Sequence, residues 1–375
     1  MERNGKPAAA GGFWMGQSGG LAASVLFAVL MTAAIGFLTP ALARFEDPAA
    51  GAITYDSALP AGERAAHYEW KLNAPTVWTR LAAWVPYALN QLTVWGLIAW
   101  AAKRKRNAAP AAAKYTDRLD PAGVGFFLAT VGFGLLHLAQ TQLSYDGLAQ
   151  DVPVFSSQAS VIVMLVLALI MQNDRRGLLF GWKAPMPKAA VAFVRRYHGY
   201  YVAWALVYTF WFHPATGTFG HLAGFFYMFL LLSQGALMYT KLHVSLKWSA
   251  VLEGLVLVHG TTVALVGQRS PLWTMFFAGF GFMFVASQLW GLRLSKAANW
   301  AVVALYAAVV LFLYSGALSG FGPLFAQDWS KLFQVTWIPI TLYALVPVFL
   351  LLAWGLAALA GQTEKGRNRA PAASA

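Results

Sequence analysis

Residues 335–360 read VTWIPITLYALVPVFLLLAWGLAALA, a run with no charged side chain. As a helix it would be about 39 Å long, more than the roughly 30 Å of hydrocarbon in a bilayer. Similar runs recur along almost the whole chain. Working outward from this one, ten can be placed, at about 21–43, 79–101, 121–144, 154–173, 190–212, 219–240, 248–267, 271–292, 298–318 and 335–360. The fold class that follows is an all-α polytopic membrane protein of about ten transmembrane helices.

Composition agrees. Of 375 residues, 59% are hydrophobic and 11% charged, against about 25% charged in ordinary soluble domains. Residues 21–361 therefore form a single transmembrane domain. Small polar tails, 1–20 and 362–375, flank it and are expected to be disordered. The first run is long enough to span and no small-residue cleavage site follows it, so it reads as a membrane helix and not as a cleavable signal. There are no cysteines, which removes disulfides, thiolate metal sites and cysteine nucleophiles together.

The net charge is +13. Of the 27 basic residues, six (Arg44, Arg64, Lys71, Arg80, Arg269 and Lys331) lie in one set of loops, and the other 21 lie in the tails and the opposite set. Acidic residues lean towards the smaller set, for example Glu46, Asp56, Asp151 and Asp328. By the positive-inside rule both termini are cytoplasmic, in a cell or inner membrane. The Lys103–Arg106 run, directly after a span, reads as a membrane anchor that also attracts anionic headgroups. Nucleic-acid binding needs a basic surface on a soluble element, and the sequence offers none. Two outer segments are not plain loops. Residues 44–78 end in aromatics, and 323–336 have the spacing of a short interfacial helix.

Polar residues inside the spans carry the functional signal, because hydrocarbon makes them costly. The second span has Asn90 and Gln91, the third His137 and Gln140 to Gln142, and the fourth Ser156, Ser157, Gln158 and Ser160. The fifth has Arg195, Arg196, His198 and several tyrosines and ends at His213. The sixth has His221 and Gln234, the seventh Glu253 and His259, and the eighth Gln288. Spans two to eight are thus expected to enclose a polar interior, with one, nine and ten as lipid-facing scaffold. The amides and serines are read as bonds between helices. Glu253 is the carboxylate deepest in any span, with His198, His259, Arg195 and Arg196 as candidate partners.

The histidines fall in two tiers. His213 and His221 flank the outer turn between spans five and six, and His198 and His243 lie towards the inner end of the same hairpin. Paired imidazoles from adjacent helices could hold a b-type haem at each level, so these four are the cofactor-binding candidates. His243, between Lys241 and Lys247, is expected in a wet loop. No two histidines share the i, i+3 or i, i+4 spacing that puts ligands on one helical face, and no metal is assigned. Proton chemistry asks less of the sequence, and Glu253, His259, His137 and His198 are the catalytic candidates. The expected function is a membrane-embedded enzyme or redox protein acting on a lipid-soluble substrate. The alternatives are a proton-coupled transporter using Glu253 and a non-catalytic subunit of a membrane complex.

Overall fold

A computed structural model describes residues 16–42, 53–55, 60, 66–68, 75–109, 113–144, 147–267 and 270–361. The tails lie outside these residues apart from 16–20, and so does most of 44–78. Ten α-helices follow in chain order: α1 Gln17–Leu42, α2 Val77–Arg106, α3 Pro121–Ser144, α4 Val154–Arg176, α5 Lys188–Phe212, α6 Phe219–Ala236, α7 Leu246–Thr262, α8 Trp273–Ala286, α9 Lys296–Tyr314 and α10 Trp337–Leu359. They coincide with the ten apolar runs. Seven, namely α1, α3, α4, α6, α7, α9 and α10, are long and apolar enough to cross a membrane, which makes this a multi-pass membrane protein.

The other three are instructive. α2 carries Asn90, Gln91 and the basic run Lys103–Arg106. α5 carries Lys188, Arg195, Arg196 and His198. α8 is apolar but has 14 residues, and a 3-10 helix, Gln288–Leu292, extends it. Within 44–78, a small hairpin pairs β1 (Ile53–Tyr55) antiparallel to β2 (Ala66–Tyr68). The interfacial segment 323–336 is helical, but as 3-10 turns at Pro323–Phe325 and Trp329–Thr336, the second running directly into α10.

Large apolar side chains face outward along several helices, among them Phe37, Leu143, Leu305 and Leu351. Exposed side chains of that size suit contact with acyl chains. Inside, two of the three cores among the described residues share one helix. The first joins α1, α2, α3 and α6 to the second half of α5, with Phe126, Trp211, Phe225 and Phe229 fully or almost fully buried. The second joins α4, α8 and α10 to the first half of α5 through Val191 and Val194. Here α10 departs from expectation. Far from being plain scaffold, it buries Leu342, Val346, Ala353 and Ala357 against its neighbours. α9 packs on α8 and on 329–336, and it buries Val310, Leu313 and Tyr314 in the third core, with Trp273 and Ala278 of α8.

Caps set the helix starts. Thr76 and Thr79 form a reciprocal box at the start of α2. Ser245 and Ser295 accept the third backbone N–H of α7 and α9, which satisfies donors that no residue within the helix can reach. α3 and α6 meet at Gly123, where any Cβ would collide with the backbone carbonyl of Ala236. Gly123→Ala should therefore lower the thermal unfolding midpoint of the detergent-purified protein, through overpacking of about 1–3 kcal/mol. Gly132→Ala on the same helix, where a Cβ meets nothing within 4 Å, should leave it unchanged or raised.

Candidate functional site

The short link from His213 to Thr218 contains Pro214, which cannot continue a helix, and it turns α5 back into α6. Thr218 caps α6, and its hydroxyl lies 2.6 Å from Nδ1 of His221. His213 gives its Nδ1–H to the Thr209 carbonyl, 2.9 Å away. The two rings stand 5.6 Å apart and nearly perpendicular. They are walled by Phe212 and Phe225.

At the opposite end of the α5–α6 hairpin the second pair also meets. His198 and His243 have ring centroids 6.2 Å apart, inclined at 38°. The wet-loop expectation for His243 fails here. α6 stops at Ala236, and Tyr239 takes a left-handed backbone (φ 61°), folding the segment back so that His243 is part-buried against α5. Each ring donates from Nδ1 to a carbonyl, His198 to Arg195 at 2.9 Å and His243 to Gln234 at 3.0 Å. A carbonyl only accepts, so the N–H is on Nδ1. Burial first, and the His198 imidazole second, push His243 down to about 4. It is uncharged at neutral pH, with its lone pair on Nε2.

His137 is fully buried in α3 and acts as a clip. Its Nε2–H reaches the His213 carbonyl at 2.7 Å, and Nδ1 lies 3.0 Å from Oε1 of Gln140. With the Gln140 carboxamide turned to present its NH₂, a neutral ring satisfies both bonds. The Thr141 hydroxyl adds an acceptor for the Ala215 N–H at 2.9 Å. His259 of α7 lies against Tyr227, with ring centroids 5.5 Å apart. Its buried Nδ1 has no hydrogen-bond partner among the described residues.

Glu253 stands apart from these. Its partner is none of the expected residues but Arg176, the last residue of α4, in a close charge-assisted contact. Both side chains are largely buried, 7% exposed for Arg176 and 16% for Glu253. Arg195 instead pairs with Asp174 at 2.9 Å, and Arg196 lies over the Tyr197 ring. A cavity of about 20 Å³ adjoins the pair, lined by Leu169, Val256, Phe280, Met283 and Gln288 among others. That is room for about one water. Arg176 Nε and Gln288 Oε1 face no partner among the described residues.

The expected site residues thus lie in three places: a histidine cluster at the α5–α6 turn, a histidine pair at the other end of that hairpin and the Arg176–Glu253 ion pair. Among the described residues no group of three or more His, Asp or Glu could hold a metal ion. Two of the α4 serines bond between helices, Ser156 with Tyr208 at 2.7 Å and Ser157 with Thr209 at 3.5 Å, whereas the Ser160 hydroxyl bonds within α4, to the Ser157 carbonyl at 2.7 Å. Gln91 does neither, since its buried amide has no partner among the described residues. No family model, curated protein or solved structure matches the chain.

Removing one partner of a buried ion pair leaves an uncompensated charge, at a cost of about 3–5 kcal/mol. Glu253→Gln should therefore lower the unfolding midpoint strongly. Arg176→Met combined with Glu253→Leu should recover much of the loss, as a double-mutant cycle of thermal unfolding will read.

Proposed function

We propose that the protein is a membrane-embedded redox protein acting on a lipid-soluble electron donor or acceptor, with the inner histidine pair as the ligand set of its metal centre. The observation that carries this is the nearness of the His198 and His243 rings, each with Nδ1–H given to its own chain and so with Nε2 as the lone-pair atom. A metal bonded to Nε2 of each ring, at about 2.0–2.1 Å, would need the two rings close together. The pair stands at 6.2 Å. A backbone carbonyl holding Nδ1–H is also the usual way a histidine ligand is kept in orientation. Two imidazoles without a third protein ligand suit a metal that brings its own ring of ligands, as a b-type haem does. The outer pair suits that role less, being closer, perpendicular and walled by Phe212 and Phe225. In this reading one centre replaces the two expected, and His259, with His213 and His221 beside it, serves as the proton-handling group.

A proton-coupled transporter built on Glu253 is weakened by the same geometry. Its carboxylate is committed to Arg176, and a transported proton would have to displace a buried ion-pair partner.

The absorption spectrum of the purified full-length protein tests the redox reading. A Soret band that shifts on reduction is expected, lost in His198→Ala and in His243→Ala and kept in His221→Ala. A colourless, metal-free wild-type preparation overturns it.

The membrane arrangement belongs to the same proposal: ten crossings in the cell or inner membrane, with both termini cytoplasmic. The 21-to-6 split of basic residues supports it. A reporter that is active only in the cytoplasm should work when fused after Arg106 and fail when fused after Leu318. The reverse pattern overturns the orientation, and equal activity at both sites overturns the crossing number.

A further inference from the structure

Arg175 lies within electrostatic range of Arg176, Arg195, Arg293 and Glu253. Two of these arginines are neutralised, Arg176 by Glu253 and Arg195 by Asp174. Arg175 and Arg293 have no acidic partner at ion-pair distance among the described residues. Both are exposed. Arg175 uses one donor on the Val244 carbonyl, at 3.0 Å, and its remaining N–H groups stay available. The elements that carry the two arginines are packed together. Gly291, two residues before Arg293, sits where a Cβ would come within 3.3 Å of the Arg176 Cβ.

The surroundings fix the depth of this charge. Directly after Arg176, the chain makes a tight turn through Gly177 and Gly181, both at φ 81°, that leaves Leu179 and Trp182 exposed. Phe180 of that turn stacks on Trp300 at 5.7 Å, and Trp300 meets Trp290 at 5.7 Å. Leu294 and Trp300 are exposed beside Arg293. Two uncompensated guanidinium groups therefore border exposed Leu and Trp side chains at the ends of α4 and α9, as expected at the level of lipid headgroups. Like charges gathered within a Debye length repel each other, and a guanidinium fork matches a phosphate. A soluble anion would satisfy the charge but leave the apolar rim bare. A phospholipid supplies phosphate and acyl chain together.

We propose that Arg175 and Arg293, with the exposed Leu179, Trp182, Leu294 and Trp300, form a binding site for the phosphate headgroup of an anionic phospholipid. The site is independent of the histidine pairs. Its test is native mass spectrometry and thermal unfolding of the full-length protein in nonionic detergent. The additions are phosphatidylglycerol, phosphatidylcholine or inorganic phosphate. Phosphatidylglycerol should remain bound as a discrete adduct and raise the unfolding midpoint more than phosphatidylcholine does. In Arg175→Gln/Arg293→Gln the adduct should fall at least tenfold, while phosphatidylcholine binding stays unchanged. Arg175→Lys/Arg293→Lys, which keeps the charge, should retain part of the binding and reports whether the fold tolerates change at these positions. Undiminished phosphatidylglycerol binding in the glutamine variant overturns the site, as does equal retention of the two lipids by wild type. Inorganic phosphate raising the midpoint as far as phosphatidylglycerol overturns the lipid assignment.

Discussion

Hydrocarbon offers no hydrogen bonds, and an unsatisfied polar group within it costs several kcal/mol. That constraint decides how these helices are fastened. Lipid tails are as apolar as leucine, so apolar burial discriminates poorly between one helix pairing and another. Polar contacts supply the discrimination. Arg176 and Glu253 tie the end of α4 to α7. His137 and Thr141 tie α3 to the α5–α6 corner, and Ser156 and Ser157 tie α4 to α5. A slip of one residue in any of these helices would break such a contact and strand its partner.

α5 is where the constraint is felt most. It belongs to two of the cores, its first half packed with α4 and α10 and its second half with α2, α3 and α6. It also carries His198 and ends at His213. A helix clamped along its whole length holds both rings still, and their Nδ1–H bonds fix the ring orientation further. This explains how α5 tolerates Arg195 and Arg196 despite its central place. Arg195 lies at the inner end, where it reaches the Met171 carbonyl and Asp174, so its charge stays near water while its stem packs.

Much of this was legible in the sequence. The ten runs coincide with ten helices among the described residues, and for seven of them a long uninterrupted apolar stretch has few uses besides crossing a membrane. The two tiers of histidine follow from simple counting along a hairpin. What was not legible depends on which neighbour lies across a gap. Arg176 counted as one more basic residue at a membrane face, since counting charge by loop treats every charge as solvated. Only the fold shows it 93% buried with Glu253. His243 looked wet because two lysines flank it, and its burial hangs on the left-handed turn at Tyr239. α10 looked like scaffold because it lacks polar groups. Yet Leu342, Val346, Ala353 and Ala357 fall at spacings of four and seven, one face of a helix, and that face is the buried one.

Glu253 and His259 show why sharing a helix does not mean sharing a centre. Six residues on a helix turn the side chain by about 600°, which leaves the two about 120° apart. His259 looks towards α6, where it meets Tyr227 and the space beside Gly224. Glu253 looks towards α4 and α8, where it meets Arg176 and the cavity lined by Phe280 and Met283. Tyr227 lies along this boundary, its hydroxyl held by the Leu252 carbonyl at 2.7 Å. α7 therefore presents His259 and Glu253 to different neighbours. Glu253 ties α7 to α4 through Arg176, and Tyr227, which meets His259 and lies within electrostatic range of Glu253, stands between the two.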